Sequence, residues 1–284
     1  MTTNPELLVD LLQTKRLTAV VDIGANPITD IPPYQTMLGK RLCSLVGFEP
    51  QAEGLAKLNE LKSDLETYLP YAVGDGTQAT LKVCHAPGMS SLLTPNPQIL
   101  DCLALYSIFG MVTGEVPMET HSLDNISEIA ALDFLKIDVQ GSELAVFRGG
   151  RAHLTNAVAV HTEVCFMQLY KDQPLFGDID RELRSLGLIP HMFTEIKKAM
   201  ILPLYFEKDL YATMNQALYT DVVYVRDFTR PDNMTSEQLK HLALIAHYCY
   251  GSYDLTVKCL RDLQLRNAIA SDSMTRYLTA SAVH

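Results

Sequence analysis

Residues 20–35 read VVDIGANPITDIPPYQ, and the fold of the chain is decided by how this stretch is understood. Val20, Val21, Asp22 and Ile23 form a short apolar run that leads into Gly24, Ala25 and Asn26, the pattern of a buried strand ending in a glycine turn. In nucleotide-binding α/β proteins such a turn carries further glycines into a helix, whose free N–H groups approach the ligand. Here Pro27 follows at once, with Pro32 and Pro33 close behind. Proline has no N–H and restricts the residue before it. The first half therefore promises a ligand site at a strand end, and the second half limits which ligand it accepts.

Working outward, strand-sized apolar segments recur at 19–23, 42–48, 67–73, 134–139, 158–166, 188–193 and 221–225. Helical patterns lie between several of them, at 52–61, 141–147 and 178–186. Near-continuous apolar strands alternating with helices indicate an α/β fold, a Rossmann-like, mostly parallel sheet covered on both faces. Right-handed crossovers then gather the strand C-termini along one edge, where such sheets bind ligands.

Three regions stand outside this alternation. Residues 4–16 read as an amphipathic helix with Leu7, Leu8, Leu11 and Leu12 on one side. Residues 84–122 are too irregular for one crossover helix and read as an inserted cap. From about Thr235 two helical stretches follow, the first capped by Thr235 or Ser236. The chain divides into 1–17, 18–230 and 231–284: an N-terminal helix, a catalytic domain carrying the cap, and a C-terminal helical appendage.

Composition narrows the function classes. A formal charge of −10 without a basic run argues against nucleic acid as the main partner. No segment reads as a signal peptide or membrane span, so a cytoplasmic, membrane-independent protein is expected. The six cysteines are scattered and the histidines lack HxxxH or HExxH spacing, so neither a disulfide framework nor a metal site is supported. A homo-oligomer is compatible with the C-terminal helices.

The candidate site residues lie at strand ends. Asp22 and Gly24 close the first strand, Glu49 the second, and Ala72–Asp75 the third. An acid at the second strand end can accept both ribose hydroxyl protons of an adenosine-type cofactor. Asp22 alone is as well read as a cap or surface turn; the ordered set favours a cofactor. A nicotinamide dinucleotide requires N–H donors for its pyrophosphate, which this proline-bearing loop with its acid lacks. The Tyr-x-x-x-Lys pair of short-chain dehydrogenases is also absent. S-adenosylmethionine, cationic and free of phosphate, suits the loop better.

The order VVDIGAN, VGFEPQAEGLAKL, YAVGD, THSLDNI, DFLKIDVQGSELAVFRGG and TEVCFMQLY resembles the FkbM family of S-adenosylmethionine-dependent methyltransferases over residues 18–194. The most specific part is LKIDVQGSEL with its following Gly-Gly pair, close to the family's KIDVEG-x-E-x-x-x-L-x-G signature. The resemblance implies a class I methyltransferase sheet of seven strands, the last antiparallel, with LIPHMF and DVVYVRDF as its sixth and seventh strands. It also implies O-methylation of a hydroxyl on a sugar or small metabolite. By position, Asp22, Gly24, Ala25 and Asn26 would line the methionine end of the donor. Glu49, with Gln51 beside it, would take the ribose, and Val73 and Asp75 would lie near the adenine.

Asp138 would sit where donor and acceptor meet. It and Glu163 are candidate bases because both end strands on the ligand edge. Glu143 opens the next helix and is equally a dipole partner there. Two departures from the family bear on activity: its GANxGxxS loop is replaced by Gly24–Ala25–Asn26–Pro27–Ile28–Thr29, and its common Glu in the fourth-strand motif is Gln140. They keep open a methyltransferase-like binding or assembly protein without turnover. A nicotinamide-dependent oxidoreductase is the third and least favoured reading.

Overall fold

The structure is a computed structural model that describes residues 7–25, 31–206 and 208–281. Helix α1 (Leu7–Leu12) precedes β1 (Thr18–Ile23), α2 (Gln35–Gly39), β2 (Cys43–Phe48), α3 (Ala52–Leu61) and β3 (Glu66–Leu69). The N-terminal helix is thus shorter than 4–16, and residues 4–6 lie outside the described ones. The expected third strand ends at Leu69. Pro70 offers no N–H to continue a ladder, and the chain leaves the main sheet to form β4 (Ala72–Gly74) elsewhere.

Next come β5 (Gln78–Cys84), α4 (Pro97–Leu100), α5 (Tyr106–Phe109) and β6 (Val112–Ser122). β5 runs antiparallel and β4 parallel to β6, a second, three-stranded sheet that the sequence did not announce. The cap therefore starts at Gln78, ahead of the 84–122 boundary, because β5 is half of its sheet.

The central sheet resumes with β7 (Phe134–Ile137), α6 (Glu143–Gly149), α7 (Arg151–Leu154), β8 (Ala159–Cys165) and α8 (Phe176–Ser185). It ends with β9 (Leu188–Phe193), β10 (Lys197–Ala199) and β11 (Gln216–Arg226). Its order is β10-β11-β8-β7-β1-β2-β3, with β9 also paired to β11. The five strands β3, β2, β1, β7 and β8 are mutually parallel, and β11 runs antiparallel to β8. Eight strands thus fill the seven expected positions. The sixth is split, β9 pairing with Val222–Arg226 and β10 with Gln216–Tyr219 of the same strand.

Neighbouring residues point to opposite faces, so each parallel strand feeds two cores. Val20, Phe134, Ala159 and Val223 face one core, and Val21, Leu135, Val160 and Val222 the other. The second core is closed by Leu144, Val146 and Phe147 of α6 and by Ile179 and Leu183 of α8.

The first core is closed largely by α9 (Ser236–Tyr250), followed by α10 (Tyr253–Leu265) and α11 (Ser273–Ser281). Thr235 caps α9 by accepting the Gln238 N–H at 3.2 Å, and the Gln238 side chain accepts the Thr235 N–H at 2.9 Å. Leu239, Leu242, Ala243, Leu244, Ile245 and Ala246 are all buried against the sheet. The helical segment from 231 thus packs on the core. A helix apolar nearly all round has to be enclosed, and α9 is one wall of the domain.

Candidate donor and acceptor site

The C-terminal ends of β1, β2 and β7 meet at Gly24. Its N–H and that of Ala25 both donate to the Phe48 carbonyl, each at 3.1 Å, and the Asp138 N–H donates to the Ile23 carbonyl at 3.0 Å. Gly24 has φ +80°, and a Cβ there would lie 2.1 Å from the Asp138 carbonyl oxygen. Only glycine allows the two strand ends to approach this closely.

Asp22 is buried beneath this junction. Tyr34 donates its hydroxyl to Asp22 Oδ2 at 2.5 Å, and Lys136 Nζ stands 3.3 Å from Oδ1. Burial would lower the Lys136 ammonium, but Asp22 and then Asp138 outweigh it and hold the group above its ordinary range. Lys136, not Asp22, is the member of this pair that lines the cleft.

At the end of β2, Glu49 is only 4% exposed. One carboxylate oxygen accepts the Gln51 N–H at 2.7 Å. Burial raises its pKa, and that N–H partly offsets the effect. Gly54 on α3 leaves the room: a Cβ there would come within 3.0 Å of the Glu49 side chain. The same cleft is lined by the apolar side chains of Phe48, Tyr71, Val73, Leu81 and Met118, the last three contributed by the three-stranded sheet. Tyr71 packs on His121 with ring centroids 4.5 Å apart. An acid facing an apolar slot suits a ribose joined to a flat base.

The β7 end supplies the remaining polar groups. Asp138 is exposed in the cleft, and its Oδ1 accepts an N–H of the Gln140 amide at 2.7 Å. Glu143, at the head of α6, is buried and accepts the Val139 and Gly141 N–H groups, both at 3.1 Å. Burial pushes its pKa up to about 7, against those two hydrogen bonds. Its carboxylate is occupied in shaping the turn. Glu163 lies on the neighbouring strand beside Cys165, whose thiol is 3.9 Å from it, and does not line the cleft. Burial first, then Asp138, Glu143 and Asp221, push it well above the usual carboxylate range.

The structure therefore brings Gly24, Glu49, Gln51, Val73 and Asp138 around one cleft. Ala25 is buried behind it, and Asn26 lies outside the described residues. Asp75 accepts the N–H and hydroxyl of Thr77 at 3.0 and 2.7 Å, capping the turn into β5 instead of facing the cleft. Tyr71, Leu81 and Met118 were missed, and Ser90, read from sequence as a turn residue or an acceptor contact, lines the cleft. Tyr71 was detectable as the aromatic after a strand-breaking proline, whereas the cap residues meet the cleft only once β5 and β6 fold across it.

A parallel sheet with an antiparallel seventh position, and a cleft over its first strands, defines a class I methyltransferase. The profile of the methyltransferase FkbM domain matches residues 22–189, more than half of the chain, and the protein belongs to that family. Its methyl donor is S-adenosylmethionine. No curated protein matches the chain by sequence. Among solved structures, it is similar to magnesium protoporphyrin IX methyltransferase from Synechocystis PCC 6803 with bound SAM. The two are 9% identical over 78% of this chain and 74% of that one, with a TM-score of 0.38. It is also similar to the plantazolicin methyltransferase BpumL in complex with SAH, at 11% identity, 78% and 82% coverage and a TM-score of 0.35. A third is the StiE O-MT fragment, at 13% identity, 84% and 77% coverage and a TM-score of 0.35.

The lining residues fit this donor. Glu49 and Asp138 are acids, and the cation Lys136 is already paired with Asp22, so the cleft favours a positively charged ligand over a pyrophosphate. Among the described residues no group of His, Cys, Asp and Glu is placed to hold a metal, and no helix is long and apolar enough to cross a membrane. Glu49→Ala is expected to weaken donor binding about 10- to 100-fold, the loss of charge-assisted hydrogen bonds to the ribose. Calorimetric titration checks this; affinity unchanged within twofold would remove Glu49 from the ribose role.

Proposed function

We propose that this methyltransferase acts on a hydroxyl of a sugar or other small hydroxylated metabolite, in the cytoplasm, with Asp138 receiving the hydroxyl proton. One observation carries the reading: of the three acids considered, Asp138 alone lines the cleft, with one oxygen anchored by Gln140 and the other without a hydrogen bond among the described residues. Glu143 is committed to the 139–141 turn, and Glu163 lies one strand away and does not line the cleft.

When bound, S-adenosylmethionine supplies an electrophilic methyl group on a sulfonium. The protein's part is to set the acceptor oxygen in line with that methyl and to take its proton. Alignment can supply much of the acceleration. Glu49 and the Gly24 junction fix the donor, while Asp138 orients the hydroxyl and removes its proton as the new bond forms. The cap contributes Pro87, Gly88 and Ser90 to the lining of the same space.

Transfer of labelled methyl to a panel of sugars and hydroxylated metabolites tests the reading. With an acceptor in hand, Asp138→Asn should lower kcat about 100-fold, with donor affinity within threefold of the parent. Transfer to amines but to no hydroxyl, or full activity of the Asn variant, would overturn it.

A further inference from the structure

We infer that Gln140 is a positioning residue for this reaction, its amide holding Asp138 so that one oxygen is anchored and the other is presented to the acceptor; this rests on the role proposed for Asp138. The sequence presents Gln140 as a loss, an amide where the family commonly has a carboxylate. Its surroundings show a built position. Gln140 Nε2 donates to Asp138 Oδ1 at 2.7 Å, and Gln140 Oε1 lies 3.3 Å from the hydroxyl of Tyr170. That hydroxyl, 3.0 Å from the Met89 carbonyl, belongs to a side chain only 2% exposed. The amide is thus bracketed between an immobile phenol and the exposed acid.

The backbone is held as firmly. Ser91 of the cap donates its hydroxyl to the Gln140 carbonyl at 2.6 Å, and Glu143 accepts the N–H groups on either side of Gln140. Gln140 has φ +53°, a left-handed conformation costing a side-chain-bearing residue about 1–2 kcal/mol. Glycine or asparagine would sit there more easily, so the position tolerates strain for a longer amide. The length matters, because it must span from Tyr170 to Asp138.

An amide can donate to the carboxylate while its oxygen shares the single phenol proton with the nearer Met89 carbonyl. A carboxylate at 140 could bond Asp138 at this distance only if the two shared a proton. Asp138 would then serve as a proton acceptor only at higher pH. Among the described residues, the other charged groups facing Asp138 are Lys136 on β7, the strand it follows, Glu143 on α6 and Glu163 on β8, and they are common to parent and variants.

The test compares Gln140→Glu and Gln140→Leu with the parent in full-length protein. Gln140→Glu should move the acidic limb of the kcat–pH profile up by about 1–2 units. Gln140→Leu should lower kcat about tenfold without moving that limb, and donor affinity should be preserved in both. A ¹³C-NMR titration of the Asp138 carboxylate in labelled protein provides a readout independent of turnover, and in Gln140→Glu it should shift upward in step. Parent-like profiles and titrations in both variants would overturn the inference. If Asp138→Asn retains activity while the NMR shift appears, the Gln140–Asp138 linkage stands and the catalytic role of Asp138 falls.

Discussion

Gly24→Ala is expected to abolish donor binding, and methyl transfer should fall by more than about 1,000-fold. Two costs coincide at this residue. A φ of +80° penalises any L side chain by about 1–2 kcal/mol. The added Cβ would also lie 2.1 Å from the Asp138 carbonyl, a backbone atom that cannot swing aside as a side chain would. Relief requires β1 and β7 to separate where the Asp138 N–H bonds the Ile23 carbonyl, which displaces the donor floor and Asp138 together. Calorimetry with donor and with its demethylated product measures the loss, and circular dichroism confirms the fold. Gly39 is the control, since a Cβ there meets nothing within 4 Å, so Gly39→Ala should bind normally. Donor binding by Gly24→Ala within tenfold of the parent would mean that this junction does not support the donor.

The second large effect is on stability. Arg226, on the last strand, is 6% exposed, and all its hydrogen bonds run to backbone carbonyls. Nε donates to Ala157 at 3.0 Å, Nη2 to Leu154 and Thr155 at 2.8 and 3.0 Å and also to Ala157, and Nη1 to Leu186. Leu154 and Thr155 end α7 and Leu186 ends α8, where helices leave acceptors unpaired and partial negative charge accumulates, while Ala157 lies between α7 and β8. One guanidinium therefore closes two helices, and burial lowers its pKa for want of an opposing carboxylate. Arg226→Met keeps most of the volume but strands the carbonyls. It should destabilise the protein by about 3–5 kcal/mol and lower Tm by roughly 10 °C. Arg226→Lys should recover only part, because an ammonium cannot span the same set of acceptors. Chemical denaturation checks both; a loss below about 1 kcal/mol for the Met variant would mean that water replaces the guanidinium.

How far the site was legible depended on what each residue's partner was. Glu49 and Asp138 were placed by strand ends alone, because parallel topology brings those ends to one edge whatever the side chains do. Asp22 was placed correctly along the strand, yet its role depended on Tyr34 and on Lys136, which comes from a strand far along the chain. Asp75 bonds Thr77 two residues on and is not among the residues lining the cleft, a local contact. The burial of α9 could have been read from LKHLALIAHYCY, whose apolar residues leave no solvent face. The cap sheet could not: β6 is largely exposed, so its residues carry little of the apolar patterning that marks a buried strand.

By itself, the sequence determined the parallel sheet, its ligand-binding edge and a donor without phosphate. Those follow from apolar strands that must be covered on both faces and from a proline-bearing loop poor in N–H donors. Only the tertiary structure decided what each acid does. It sank Asp22 under Lys136, turned Glu143 into the backbone, kept Glu163 out of the cleft and left Asp138 open with Gln140 at its side. A carboxylate's behaviour is set by its nearest charges, donors and exposure to water, and these come from segments distant in the chain. VVDIGAN accordingly marks the strand end proposed for the donor, and the close approach of Gly24 to Asp138 and the bond of Asp138 with Gln140 are tertiary contacts that the stretch alone does not specify.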